Sequence, residues 1–173
     1  MRTELDLSYR RVSKLPIQCN SDRCLVLRQQ YATNILKFMK SGHRIINVDE
    51  TWLNELNFTR KTWNLKNSNN SMLMKGVSPS LSMIAALDNE GRIYFSLNHS
   101  ATDQDMFMLF MRYLVRKLDE DTPGWEDDSI ILIDNASYHR GDEIRRQFRK
   151  MQLPIMYSAP YSFNTAPIET LFS

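Results

Sequence analysis

Ser129-Ile-Ile-Leu-Ile-Asp134-Asn135 and, far upstream, Ile45-Ile-Asn-Val-Asp49-Glu50 share one pattern, a short, largely apolar run that ends on an aspartate. Continuous runs of Ile, Leu and Val read as strands buried on both faces, as in sheets that helices cover on each side. In an open α/β sheet the crevice beyond the carboxyl ends of the strands is where ligands bind. The two acids are therefore expected at one rim, facing a shared site. A lone Asp in such a place is also a common turn or helix-cap residue, so it is the pair that carries the reading.

The elements around these runs complete an α/β pattern. Leu25, Leu27, Tyr31, Ile35, Leu36 and Met39 recur near helical spacing, which predicts a helix over about 21–40, capped by Ser21 or Asp22 and ended by Gly42. Ser80–Leu87 and Arg92–Leu97 read as two strands joined by Asp88-Asn-Glu-Gly91, a hairpin turn in which Asn and Gly tolerate positive φ. Thr102 and Asp103 open a helix to about Leu118 with Phe107, Phe110, Met111, Leu114 and Leu118 as its buried stripe. A helix over about 141–151 buries Ile144, Phe148 and Met151, and Leu153–Tyr157 reads as a last strand. Strand, hairpin, helix, strand, helix, strand predicts a mixed sheet flanked by helices. Residues 1–20 read as an extended arm and 21–173 as the core, while 50–76 form a long polar excursion holding Trp52 and Trp63.

Composition excludes several classes. The 173 residues, 42% hydrophobic and 24% charged, suit one ordinary globular domain. No apolar stretch approaches the roughly 20 residues that cross a bilayer, and MRTELDLSYRRVSK has no apolar run behind its charges, so neither a membrane span nor a signal peptide is expected. An intracellular protein is the expectation. Cys19 and Cys24 lack further ligands at zinc spacing and read as reduced thiols.

The net charge of +2 hides an asymmetry, because Asp119–Asp128 carries six acids and no base, which leaves 22 bases against 14 acids elsewhere. Basic residues gather at Arg10, Arg11 and Lys14, at Arg60, Lys61 and Lys66, and at Arg145, Arg146, Arg149 and Lys150. Such a surface suits a polyanion, although the last cluster reads more readily as a solvated helix face.

Two carboxylates held close together repel and stay ionised only with a cation between them. Hard oxygen ligands suit Mg²⁺ or Mn²⁺, and two such ions about 4 Å apart stabilise both the attacking and the leaving oxygen of an in-line phosphoryl displacement. A third acid normally completes the coordination, and Glu169 in Pro167-Ile-Glu169 is the candidate.

Val48-Asp-Glu-Thr51, Ile133-Asp-Asn-Ala-Ser-Tyr-His139 and Ala159-Pro-Tyr-Ser162 followed by Ala166-Pro-Ile-Glu169 resemble the three signature blocks of the mariner transposase superfamily, in order and with 34 residues between Asp134 and Glu169. The likeness runs from about Ser8, where SYRRVSKLP resembles the segment leading into that catalytic domain, to the end. It implies an RNase H-like fold and an Asp-Asp-Glu triad of Asp49, Asp134 and Glu169 that binds two Mg²⁺ or Mn²⁺ ions, with Asp49 bridging them. It further implies hydrolysis by water and strand transfer by a DNA 3′-hydroxyl, transposon-end and target DNA as partners, and a homodimer in the full-length context. Nuclear localisation would follow in a eukaryote and cytoplasmic localisation otherwise.

Asn135 and His139 are then expected to touch DNA or to orient a ligand, the bland alternative being that Asn135 shapes the strand exit and His139 caps the next helix. Glu50 adjoins a ligand, but neighbours on a strand point to opposite faces, so no metal role is expected of it. The basic and aromatic excursion around Trp52, Arg60, Lys61, Trp63 and Lys66 falls where related enzymes insert a loop that touches a partner subunit or DNA.

The chain also departs from the family. Nothing like its helix-turn-helix modules precedes Ser8, so specific end recognition is not expected of this chain. Pro167 suits a helix opening, but no good N-cap precedes it and only four residues follow Glu169, so that helical turn is expected to be weakly held. A decayed remnant that binds DNA or protein is the competing reading, and a plain RNase H-like nuclease on RNA–DNA hybrids is disfavoured by the spacing and the Pro-Ile-Glu block.

Overall fold

The computed structural model describes residues 17–53, 81–99, 101–136, 138–161 and 167–172. Arg10, Arg11, Lys14, Arg60, Lys61, Lys66 and Trp63 lie outside them. Helix α1 (Asp22–Lys40) follows a short 3-10 turn at Ile17–Asn20 and starts at Ser21, whose hydroxyl accepts from the Cys24 amide at 3.4 Å. It ends at Ser41, ahead of Gly42 with φ 76°. Only some of its periodic apolar residues turn inward. Cys24 and Tyr31 are buried and Ile35 packs inward, whereas Leu25, Leu36 and Met39 stay half exposed. The phase is set by what lies beneath: Tyr31 and Ile35 meet Ile45, Leu132 and Met156 of the sheet, and one helix face cannot bury every apolar residue.

Five strands form one mixed sheet in the order β3-β2-β1-β4-β5: β1 (Arg44–Leu53), β2 (Leu81–Asp88), β3 (Ile93–Asn98), β4 (Ser129–Ile133) and β5 (Ile155–Tyr157). The β1, β2 and β3 pairings are antiparallel, while β4 lies parallel to β1 and β5 parallel to β4. Strand β1 is longer than its apolar run, because β2 pairs with it as far as Leu53. Asp49 is therefore the first residue past the parallel pairing with β4, not the end of the strand.

Helices α2 (Gln104–Asp121) and α3 (Asp142–Lys150) cover one face. The Asp103 side chain caps α2 by accepting from the Met106 amide at 2.9 Å. The predicted stripe Phe107, Phe110, Met111, Leu114 and Leu118 is buried, with Ile46, Val48, Ile84, Ile131 and Ile133 beneath it and Ile144 and Phe148 beside it. Each fully buried side chain of this size contributes about 1.5–3 kcal/mol. The opposite face carries α1 and the single turn α4 (Ile168–Leu171), which lies over β1 and β2. Among the described residues no helix is long and apolar enough to cross a membrane, and Cys19 and Cys24 are free thiols.

One buried ionic network closes the sheet at the start of β1. Arg44 Nε donates to Asp88 Oδ2 at 2.7 Å and its Nη2 donates to Tyr94 Oη at 3.1 Å, while Tyr94 donates in turn to Asp121 at 2.7 Å. Asp88 Oδ1 accepts from the amides of Glu90 and Arg92, so the hairpin turn and the ion pair share one carboxylate.

Candidate active site

The last parallel rung between the two central strands is Val48 opposite Ile133. The next residue on each strand is an aspartate, so Asp49 and Asp134 stand side by side at the top of the sheet. Both line a cleft of about 630 Å³ walled by the start of α1 and by residues 158–161. Their oxygens are not equivalent. Asp134 Oδ1 accepts from His139 Nδ1 at 2.5 Å and from the Ala136 amide at 3.1 Å, and the side chain remains 48% exposed to the cleft. Asp49 Oδ1 accepts from the Glu50 amide at 2.8 Å.

His139 is fully buried. Its other ring nitrogen, Nε2, donates to Glu50 Oε1 at 3.1 Å, and its ring packs on Phe107 with centroids 4.2 Å apart. The Tyr157 hydroxyl fixes its backbone by donating to the His139 carbonyl at 3.0 Å. Carboxylate acceptors at both nitrogens require both to carry protons, so the ring is an imidazolium. Burial pulls its pKa down, but the bonds to Asp134 and Glu50 outweigh that and raise it to about 9. Partial burial likewise pushes the Asp134 carboxyl up, yet the bonds from His139 and the Ala136 amide, with the nearby Arg140 charge, hold it below its ordinary value. Asp134 is thus ionised, and its Oδ1 is already engaged.

Glu169 belongs to α4, and an unexpected tie holds that turn. The buried Asn47 accepts from the Ile168 amide through Oδ1 at 3.2 Å and donates through Nδ2 to the Leu132 carbonyl at 3.4 Å. Ile168 itself is fully buried. The N-cap absent from the local sequence is therefore supplied by a side chain of β1, two residues before Asp49 on the same face. The cap bond and the buried Ile both work against the cost of nucleating one helical turn. This places the backbone of Glu169 on the Asp49 side of the sheet. Among the described residues no group of three His, Cys, Asp or Glu side chains is placed to hold a metal ion. Two hard carboxylates, both facing one cleft and one with its outer oxygen turned from its hydrogen-bond donors, fit Mg²⁺ or Mn²⁺.

A family model described as DDE superfamily endonuclease matches residues 44–173, three quarters of the chain. The chain belongs to this family. No curated protein sequence matches it significantly. Among solved structures it is similar to the Mos1 transposase paired-end complex with left transposon end, with 21% identity and a TM-score of 0.72 over 95% of this chain and 51% of that one. It is also similar to the Mos1 strand transfer complex (20%, 0.70, 95% and 50%) and to the Mos1 transposase catalytic domain with raltegravir and Mg (21%, 0.65, 88% and 70%). The sheet and helices are those of that RNase H-like catalytic domain, and the chain spans about half the length of the Mos1 transposase chains it matches.

Set on this DDE endonuclease fold, the nominated residues sort by position. Asp49, Asp134 and Asn135 line the cleft. His139 lies beneath it, so its buried ring orients Asp134 and is not a surface for DNA; nor does it cap α3, whose N-cap is Gly141 with no side-chain bond. Glu50 points away from Asp49, as strand alternation requires, but its destination opposite His139 was not legible: 89 residues separate the two. Arg23 and Arg140, which also line the cleft, were missed because neither belongs to a run of Lys and Arg in the sequence and the groove brings them together from different elements.

Proposed function

We propose that this chain is the catalytic core of a DNA transposase that hydrolyses phosphodiester bonds and transfers strands at transposon ends. The observation that carries this reading is the pair Asp49 and Asp134, adjacent beyond the rung Val48–Ile133 and open to one cleft. Asp49, Asp134 and Glu169 would hold two Mg²⁺ or Mn²⁺ ions, which when bound supply charge neutralisation at the scissile phosphate. The Mos1 structures named with Mg and Mn, and with transposon-end DNA, support the same ions and partner for this chain.

The protein's own share of the work is positional. Asp134 is held by His139 and the Ala136 amide in one rotamer, so its outer oxygen needs no reorganisation on binding. Asp49 is fixed by the register of β1, and Asn47 pins the turn that carries Glu169. Transposon-end and target DNA, and a homodimer in the longer protein, complete the proposal.

The test is nicking of supercoiled plasmid by the purified chain with Mg²⁺, Mn²⁺ or EDTA, with Asp134→Asn as the comparison. Nicking that needs the metal and vanishes in Asp134→Asn supports the reading. Nicking that survives both EDTA and the substitution in a clean preparation overturns it. Metal-independent DNA binding without nicking would favour the decayed-remnant alternative.

A further inference from the structure

The cleft holding the two aspartates does not end beside them. Arg23, Asn135, Arg140 and residues 158–160 also line a second lobe of about 360 Å³, so the two spaces form one groove between α1 and the loop after β5. The second lobe has an unusual charge balance. Among the described residues no carboxylate lines it, whereas three guanidinium groups do, those of Arg23, Arg140 and Arg145. All three residues are exposed, and among the described residues none forms an ion pair with an acid, unlike Arg146, their neighbour on α3, which pairs with Glu143.

Residues 23, 27, 30 and 34 follow one face of α1, so the groove wall extends about 16 Å along the helix. That length takes a few consecutive phosphates of one DNA strand. Gln30, Asn34 and Asn135 supply amides between the cations, which bond to phosphate and base edges alike. The lobe is at the small end of ligand clefts, of about 300–1,000 Å³, and suits single nucleotides in file better than a paired duplex.

We propose that Arg23, Arg140 and Arg145 form a track for one DNA strand, which leads a single-stranded end to Asp49 and Asp134. The track deepens the nuclease reading and rests on it for the direction of the strand, but strand binding itself needs no metal. It separates Arg145, on the groove, from Arg146, Arg149 and Lys150, which the sequence groups with it. The strand is either the end being cut or the target being joined; both present the same phosphates.

The test is fluorescence anisotropy of a labelled single-stranded 15-mer in EDTA, so that binding is read apart from catalysis. R23Q/R140Q/R145Q is compared with wild type and with a control, R92Q/R116Q/K117Q, which removes as many charges away from the groove. The groove variant is expected to bind more than tenfold more weakly, with its salt slope shallower by about two, as loss of three phosphate contacts on a single strand requires. The control is expected to stay within about twofold. R23Q alone, on the exposed face of α1, gives the same direction if the triple variant folds poorly.

Equal loss in groove and control variants would overturn the track, as would unlabelled duplex competing as well as the single strand. Nicking in Mn²⁺ is scored separately. Wild-type nicking with an unaffected groove variant removes the track and leaves the nuclease, whereas groove-dependent binding without any nicking keeps the track and removes the nuclease.

Discussion

The two ends of β1 each hold a carboxylate–cation cluster on the same face of the sheet, and they are built to opposite ends. At the bottom, Arg44 and Asp88 are both nearly inaccessible; Tyr94 accepts from Arg44 and donates in turn to Asp121, and two turn amides donate to Asp88. At the top, His139 is as deeply buried as Arg44, but one of its two carboxylates, Asp134, is half exposed and turns an oxygen to the cleft. The closed cluster fixes where β1 begins against the hairpin. The open one uses the same ingredients to hold a single side chain still at a wet surface. A buried ion pair is weak evidence of stability as such, and what distinguishes the two here is where the last oxygen points.

The same substitution should separate them most sharply. Asp49→Asn is expected to lower nicking by at least about a thousandfold, while the unfolding free energy in urea shifts by no more than about 1 kcal/mol, since its side chain lines the cleft. Asp134→Asn should lower nicking as far but also cost stability, because it takes one of two counter-charges from the buried His139. Asp88→Asn should do the reverse. It leaves Arg44 buried without its counter-charge, at a cost of about 3–5 kcal/mol, and nicking per folded molecule is retained. Equal losses of activity and stability at both ends would erase the distinction.

The next effect is smaller and depends on pH. His139→Gln is expected to weaken Mn²⁺ binding about 10- to 100-fold, the usual cost of losing a group that orients a metal ligand. In the metal-free protein the folded pKa of His139, about 9, lies above its ordinary 6.5. Its pairing therefore adds stability that is complete below pH 6.5 and is lost as pH rises through about 9. Urea unfolding between pH 6 and 10 should show that decline. Glu50→Gln removes one of the two partners, so the decline should be smaller and end at lower pH, and the His139 ring carbons should titrate lower by NMR. A titration unmoved by Glu50→Gln would mean that Glu50 does not act on His139.

Most of the sheet was legible because its strands carry local signals. Ser129–Ile133 is apolar throughout and came out with the expected bounds, and Asp88-Asn-Glu-Gly91 turned where Asn and Gly predict, with Gly91 at φ 85°. The alternation rule sent Glu50 to the face opposite Asp49. What lies on that face is a tertiary fact, because neither His139 nor Phe107 is near Glu50 in the chain. Asp88 misled for a related reason: in a turn-forming tetrapeptide an aspartate reads as a turn residue, and here it is that and the buried partner of Arg44 as well. The extent of β1 was missed since its second half, Glu50–Leu53, has no apolar run after the two acids Asp49 and Glu50 and is held by pairing with β2. Which apolar residues of α1 turn inward was not legible, because it has more of them than its contact with the sheet can use.

Asn47 gives the smallest and most local prediction. It lies within a largely apolar strand, and its amide joins three elements: β1, β4 through the Leu132 carbonyl, and α4 through the Ile168 amide. Asn47→Leu fills the space but cannot accept from Ile168, and is expected to cost about 1–3 kcal/mol for the orphaned buried amide. Global unfolding is not the decisive readout, since any buried substitution moves it. Hydrogen exchange at Ile168 is, because only the capping role ties that amide to position 47. Exchange there should quicken by at least tenfold while the amides of β4 keep their protection, and nicking should fall with it as the turn carrying Glu169 loosens. Asn47→Asp, which keeps an acceptor for Ile168 and loses only the donor to Leu132, should restore most of the protection at Ile168. If it fails to do so, the turn is held by the burial of Ile168 alone.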